Sequence, residues 1–387
     1  MPNPFAFGSP VKGDQFSDRA AETRFLVRRM TSGQNVVVTS PRRYGKTSVI
    51  LRAVDEARRQ HGARVAVVSL LRCSTRKEVA EEVTRAVVDG GLGWIVGTAE
   101  QVSDRLRRLP RVTPSLEHEG WRFSLAGGGT EGDFTQDIRR PIELLADSAR
   151  DSHPVGLVLD EFQQVAEIDA HLAGFFKTVC DDLPGVSIVF AGSRRHMMER
   201  LFVGSGAALK NVAEPLSLEV IPERDAVQFL VERMSSVGRE LTEPAAALIY
   251  RLVRGIPHFV QLLGAGTYDQ DLPVSDEPAV RTALVEVLTR QRADLAARYE
   301  SLPHNQRKLA RLLAREPVRD LLSQRNLLRG DLAKTSAERA RDALRASEII
   351  EFDGTVGWRV SDPIFERWLR HGLDLDLGSS IDPSSIS

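Results

Sequence analysis

Val36-Val37-Val38-Thr39-Ser40-Pro41-Arg42-Arg43-Tyr44-Gly45-Lys46-Thr47-Ser48-Val49-Ile50 is the stretch on which the fold of this chain turns. Three β-branched residues in a row predict a buried strand, and the pattern from Thr47 onward predicts an amphipathic helix. A loop ending in Gly-Lys-Thr between strand and helix is the arrangement of a phosphate-binding loop, or P-loop. Each part has a chemical reason. The first amides of a helix are unpaired and carry partial positive charge, so they hold phosphate oxygens. Gly45 lets the backbone approach a ligand without a Cβ in the way. Lys46 is placed to reach β- and γ-phosphates, and the Thr47 hydroxyl to complete the shell of a magnesium ion. Pro41, Arg42, Arg43, Tyr44 and Ser48 form the rest of the cradle. The general pattern opens with glycine; here that position is Ser40.

The partner of such a loop is expected beyond a second buried strand. Val155-Gly156-Leu157-Val158-Leu159-Asp160-Glu161-Phe162 is an apolar strand running into two carboxylates. Asp160 at the strand end is the candidate magnesium ligand, directly or through water. Glu161 is the candidate that polarises the attacking water. Alone, an apolar run ending in Asp-Glu is weak, because strands commonly end in acidic turns. Coupled to the P-loop, it predicts a Mg-nucleotide site.

The 387 residues give room for two or three domains, and 42% hydrophobic content suits ordinary cores. Lys plus Arg number 52 and Asp plus Glu 53, so any nucleic-acid surface must be local. Cys73 and Cys180 lie far apart and fit no metal spacing; they read as buried small residues of a reducing compartment. No apolar run approaches the length of a membrane span, and no basic start precedes an apolar core at the N-terminus. A cytoplasmic location is the expectation, with no membrane partner.

Along the chain, the first fifteen residues are rich in Pro and Gly and read as extended. A helix follows, with Ser17 or Asp18 as its cap. Phe16 and Arg19 stand where a segment ahead of the first strand can fold over a nucleotide base. A second strand is expected at 65–70 and a helix at 74–88. Residues 90–132 then form a stretch too long for a simple connection. In it, 102–109 reads as helical, and 111–116 with 121–125 as a hairpin, an insertion that contacts a partner or is only a decorated loop. A fourth strand at 186–191 ends in Gly192-Ser193-Arg194-Arg195. Ser193 or Arg194 can feel a γ-phosphate there, and Arg194, Arg195 or Arg200 can reach a neighbouring subunit as an arginine finger. A fifth strand near 214–220 completes a parallel sheet covered on both faces.

From Pro222 the pattern is helical, with helices expected at 223–236, 243–254, 258–268 and 278–298. From Leu302 a third unit begins, with one helix marked by Leu309, Leu312 and Leu313, another at Asp331-Leu332, and a third at 336–347. Ile349 to Phe352, an Asp353-Gly354 turn and Val356 to Val360 make a short hairpin. Helices followed by a small hairpin form the winged helix-turn-helix pattern. Lys334, Arg339, Arg341 and Arg345 are its candidate phosphate contacts on DNA, although Glu338, Asp342 and Glu348 interleave with them. Many winged helices bind protein instead. The expected division is a core over 1–220, a helical lid over 221–298, a winged helix over 299–372 and a loose tail over 373–387.

Ser-Pro-Arg-Arg-Tyr-Gly-Lys-Thr-Ser, the Leu-Asp-Glu-Phe-Gln run ending at Gln163, and Asp362-Pro363-Ile364-Phe365-Glu366-Arg367-Trp368 together resemble the archaeal-type ATPase family of P-loop proteins. That family is related to the AAA+ initiator ATPases and the STAND signalling ATPases. The resemblance implies an α/β, AAA+-like P-loop core with a parallel sheet, a helical lid and a C-terminal winged helix-turn-helix. It implies ATP and Mg2+ as ligands, with Lys46, Thr47, Asp160 and Glu161 in the roles argued above. By the STAND comparison, Arg194 is the sensing arginine, and Pro257 of Gly255-Ile256-Pro257 is where the lid touches the base. By the AAA+ comparison the sensor is Ser193, and His258 is nearest to the usual lid arginine.

Three functions are compatible with these residues. The first is an ATP-binding and ATP-hydrolysing switch that couples nucleotide state to lid and winged-helix position. The second is a DNA-binding AAA+ initiator or loader. The third is a nucleotide-binding scaffold with negligible turnover. The expected partners are ATP and ADP, double-stranded DNA or protein through the winged helix, and a nucleotide-dependent homo-oligomer.

Overall fold

Val36-Val37-Val38-Thr39 forms the first strand, β1 (Val36–Thr39), and it lies inside a five-stranded sheet. The computed structural model describes residues 2–6, 8, 19–92, 112–117, 120–125, 131–147 and 153–371. The fold divides into two compact units. One is Arg19–Glu219; the other is built from Val220 onward together with the start of the chain.

In the Arg19–Glu219 unit, helix α1 (Ala20–Thr31) precedes β1, and the P-loop leads from β1 into α2 (Lys46–His61). Then come β2 (Arg64–Ser69), α3 (Arg76–Ala86) with a π-helical continuation (Val87–Leu92), a hairpin of β3 (Val112–Glu117) and β4 (Gly120–Leu125), and α4 (Glu131–Asp147). The second half runs β5 (Val155–Asp160), α5 (Gln164–Ile168), α6 (Ala170–Asp182), β6 (Val186–Gly192), α7 (Arg195–Phe202) and β7 (Glu214–Ser217). The sheet order is β2-β5-β6-β1-β7, and every pairing is parallel. The chain leaves β1 toward β2 at one edge, whereas it leaves the adjacent β6 toward β7 at the other. The crevice at the carboxyl ends of β1 and β6 is therefore a topological switch point, where open α/β sheets bind ligands.

Both faces of the sheet are covered, and the strands show it by period-two alternation. Val37, Leu157, Leu159, Ile188 and Phe190 point into one cluster with residues of α3, α4, α6 and α7. Val36, Val38, Val158 and Val189 are as deeply buried but lie outside that cluster, on the face next to α1 and α2. α2 buries Val49, Ile50, Ala53, Val54 and Ala57, the spacing of one helical stripe. The centre of the larger cluster is Phe162, fully buried, with ring centroids 4.7 Å from Phe190, 5.4 Å from Phe176 and 6.0 Å from Phe202. The inserted hairpin pairs antiparallel with Val112 opposite Leu125 and Leu116 opposite Trp121. The helix expected at 102–109 lies outside the described residues, as do Phe16, Ser17 and Asp18.

The second unit opens with α8 (Glu223–Ser235), α9 (Glu243–Val253), α10 (Pro257–Tyr268), α11 (Glu277–Arg290) and α12 (Arg292–Glu300). Two-residue strands β8 (Glu240–Leu241) and β9 (Val274–Ser275) pair parallel between them. Thr242 and Asp276 cap α9 and α11 by accepting from Ala245 and Ala279 amides. The single helix expected over 278–298 is two helices that meet at Gln291. Leu288 and Leu295 are buried on either side, seven positions apart, so the apolar stripe runs in phase across the break and hides it. Residues from the start of the chain pack on this unit. Asn3 donates to Ala265 O and Asp269, the Ala6 amide donates to Gln261, and the buried Phe5 ring lies 6.3 Å from Phe229.

The rest of that unit is α13 (His304–Arg315), α14 (Gln324–Gly330), α15 (Lys334–Ala346), β10 (Ile350–Asp353), β11 (Gly357–Val360) and α16 (Pro363–His371). β10 and β11 form the expected hairpin, and Val318 adds a bridge to Trp358 at its edge. Asp331-Leu332, expected as helix, follows α14 instead. Asp331 is its C-cap in the left-handed region, φ 48°. The Asp362–Trp368 motif fastens this part to the helices before it. Arg367 donates to Leu252 O at 2.9 Å, Arg254 donates to Val360 O and Ser361 O, and Arg298 pairs with Asp362 at 3.2 Å. Burial pushes the Arg367 guanidinium down to about 10. No helix among the described residues is long and apolar enough to cross a membrane.

Phe162 ties the strand that carries the carboxylates to the aromatic cluster. Phe162→Ala is expected to destabilise the protein by about 3–5 kcal/mol, measured by urea denaturation; Phe162→Leu is expected to cost clearly less.

Candidate nucleotide-binding site

The P-loop turn follows from its sequence. Arg43 and Gly45 both adopt positive φ, 73° and 84°, which folds the loop back over the end of β1. Gly45 stands at the N-cap of α2, and a Cβ there would meet no protein atom within 4 Å. The glycine is thus required by backbone conformation and not by packing, and it leaves the space over the helix start open to a ligand. Tyr44 and Ser48 are buried, Arg42 and Arg43 are exposed, and Pro41 is half-buried. Ser40 is fully buried, and its Oγ has no hydrogen-bond partner among the described residues.

The sheet register brings the acidic pair to this turn. β6 lies between β1 and β5, with Thr39 opposite Gly192 and Asp160 opposite Ala191. Strand spacing separates the ends of β1 and β5 by about 10 Å, a gap that a lysine side chain at the start of α2 can close. Lys46 is 6% exposed, and its Nζ lies 2.7 Å from Asp160 Oδ1 and 3.0 Å from Glu161 Oε1. Thr47 Oγ1 donates to Asp160 Oδ2 at 3.0 Å.

Glu161 is in the left-handed region, φ 58°, a strain of about 1 kcal/mol or more for a residue with a Cβ. The Phe162 amide, donating to Ala191 O at 2.8 Å, and the buried ring after it hold the turn in place. Ser193 at the end of β6 donates to Glu161 Oε2 at 2.9 Å, and Gln163 donates to the same oxygen. Burial alone would raise the Glu161 carboxyl. The charge of Lys46 and hydrogen bonds from Gln163, Lys46 and Ser193 outweigh it and hold the group below the usual carboxylate range.

The other candidates fall in different places. Arg194 turns away from Glu161 and pairs with Glu167. Arg195 pairs with Glu219 at 3.0 Å, and Arg200 is exposed on α7. Arg19 is buried and committed to Glu22, at 2.7 Å, and to Glu219 O. Phe16 lies outside the described residues. Pro257 and His258 open α10 in the second unit, with the His258 ring 5.1 Å from Phe259. On α15, Lys334, Arg339 and Arg345 are exposed, and Arg341 pairs with Asp342. Arg341 and Arg345 carry their guanidinium carbons to 5.9 and 6.0 Å from the Trp358 ring centroid. In the sequence Gln163 is marked only as the end of the Leu-Asp-Glu-Phe-Gln run, an amide two residues beyond Glu161.

Cys73 and Cys180 are free and buried, and burial pushes their thiols up to about 11 and about 12. No group of three or more His, Cys, Asp or Glu side chains that could cage a metal occurs among the described residues. The donors at the loop are one hydroxyl and one carboxylate, hard oxygens that touch each other beside a lysine. That set fits Mg2+, which keeps several waters and is held through one or two protein oxygens plus substrate phosphates.

No family model matches the chain, and no curated protein matches it. Solved structures do. The Walker-type ATPase of Pyrococcus abyssi superposes with a TM-score of 0.67 at 15% identity, over 95% of this chain and 99% of that one. The Aeropyrum pernix ORC2 protein, solved as ADPNP–ADP complexes, gives 0.55 at 13%, over 96% and 98%. The Aeropyrum pernix ORC1 protein in complex with DNA gives 0.50 at 14%, over 92% and 93%. At these identities the likeness is one of fold, and it spans nearly the whole chain. The α/β architecture with a five-stranded parallel sheet expected from the sequence is the one observed, and these solved structures share its fold.

Lys46 is the counter-charge of both carboxylates. Lys46→Ala is expected to stay folded by far-UV circular dichroism and to lose at least about a hundredfold in ATP affinity by calorimetry. Undiminished affinity would contradict the site.

Proposed function

We propose that this chain, which has the fold of archaeal Walker-type ATPase and ORC proteins, binds ATP with Mg2+ at the β1–α2 loop and hydrolyses it, as an AAA+/STAND-type switch. The observation that carries this reading is the convergence of Lys46, Thr47, Asp160 and Glu161 on one point at the start of α2. Each residue then has a task. The amides at the start of α2 and the Lys46 ammonium bind the phosphate oxygens. Thr47 and Asp160 hold Mg2+, which supplies charge neutralisation at the phosphates when bound. Glu161, kept ionised by its surroundings, orients a water and draws its proton as oxygen attacks the γ-phosphorus and the bond to ADP breaks. Ser193, hydrogen-bonded to Glu161, is placed to register loss of the phosphate. Nucleotide state then biases the position of the helices and hairpin beyond Val220 through its differential affinity for their arrangements.

A DNA-binding, initiator-like reading has one observation of its own. The fold is shared with an ORC1 protein solved on DNA, and α15 here carries Lys334, Arg339, Arg341 and Arg345 beside the β10–β11 hairpin. In this reading α15 is a recognition helix of a winged helix and its cations pair with phosphates.

The two readings separate by measurement. Steady-state ATPase of wild type is expected to be slow but measurable, and Glu161→Gln is expected to abolish it while ATP still binds. Equal, near-zero rates in both would leave only a nucleotide-binding scaffold. If DNA is the partner, duplex stimulates the rate, and replacing Arg339, Arg341 and Arg345 by Ala lowers the slope of log affinity against log salt by about three. An unchanged slope would point to protein as the partner.

A further inference from the structure

Gln163 is 2% exposed and sits in the turn that leaves β5. Its Nε2 donates to Glu161 Oε2, the oxygen that also accepts from Ser193. That orientation is forced, because an ionised carboxylate only accepts. It leaves Gln163 Oε1 buried with no hydrogen-bond partner among the described residues. An unpaired buried acceptor costs stability, so packing alone does not account for an amide here; an apolar chain of the same length would fill the space better. Room for the amide is made across the strand. A Cβ on Gly192 would stand 2.7 Å from Gln163 Oε1 and 2.4 Å from Met198 Sδ. The same β6 end that supplies Ser193 thus leaves a gap for Gln163.

We infer that Gln163 is a positioning residue for Glu161. Its amide, admitted by Gly192, fixes Glu161 Oε2 together with Ser193 and keeps Oε1 directed at the P-loop. Lys46 is the third contact of this carboxylate, and it is the one that a bound triphosphate would draw away. Gln163 and Ser193 hold the carboxylate in place through that exchange. The catalytic consequence rests on the hydrolysis reading given above; the clamp itself does not.

Gln163→Met keeps the length and removes the donor. It is expected to lower kcat for ATP about tenfold with KM and ATP affinity unchanged, a split that general loosening of the fold would not give. Gly192→Ala, which crowds the amide from the other side, is expected to act in the same direction. A thermodynamic cycle of Gln163→Met, Glu161→Ala and the double variant reads the clamp without turnover. The shifts in urea midpoint are expected to be non-additive. An inactive wild type would remove the hydrolysis reading and leave the cycle to judge the clamp. Gln163→Met with wild-type kcat in an active enzyme, or additive midpoint shifts, would overturn the inference.

Discussion

One ammonium held between two carboxylates of consecutive residues organises the Arg19–Glu219 unit. Asp160 and Glu161 direct their side chains to the same ammonium, 2.7 and 3.0 Å from its nitrogen. Lys46 is the counter-charge of both, and the carboxylates in turn make it tolerable to bury a lysine. The arrangement forces three chain segments into register: the end of β5, the end of β6 and the first turn of α2. The sheet order achieves this by setting β6 between the P-loop strand and the acidic strand.

Strain in this site is paid for by packing next to it. Glu161 in the left-handed region is unfavourable by itself, yet the following residue is a fully buried aromatic. The Phe162 ring, among Phe176, Phe190 and Phe202, and its amide on Ala191 O leave the preceding residue no relaxed alternative. The carboxylate is therefore presented by a turn held on both sides by buried groups.

The parts of this structure legible in the sequence are those fixed by local chemistry. Val36 to Ile50 and Val155 to Phe162 announce a strand, a phosphate loop and an acidic strand end because β-branched runs, Gly-Lys-Thr and Asp-Glu have few other uses in that order. The inserted hairpin and the β10–β11 hairpin were legible from alternation and turn residues for the same reason. What escaped depends on tertiary partners. The break at Gln291 carries no Gly or Pro and keeps the apolar stripe in phase, and Asp331 ends a helix only because the chain turns left-handed there. Arg194 and Ser193 were equal candidates by position; Glu167, four residues beyond Gln163 in the chain, takes the arginine and leaves the hydroxyl to Glu161. Packing of Asn3, Phe5 and Ala6 on the unit beyond Val220 joins residues more than 220 positions apart, which no local pattern encodes.

The central claim is that Lys46 exchanges Glu161 for phosphate while Glu161 stays where it is. A crystal structure with Mg2+ and a non-hydrolysable ATP analogue measures this directly. The account predicts Lys46 Nζ on β- and γ-phosphate oxygens, the metal on Thr47 and Asp160, and Glu161 Oε2 still bonded to Gln163 and Ser193. An analogue bound away from the start of α2, or Lys46 still paired with Glu161 beside a bound triphosphate, would contradict it.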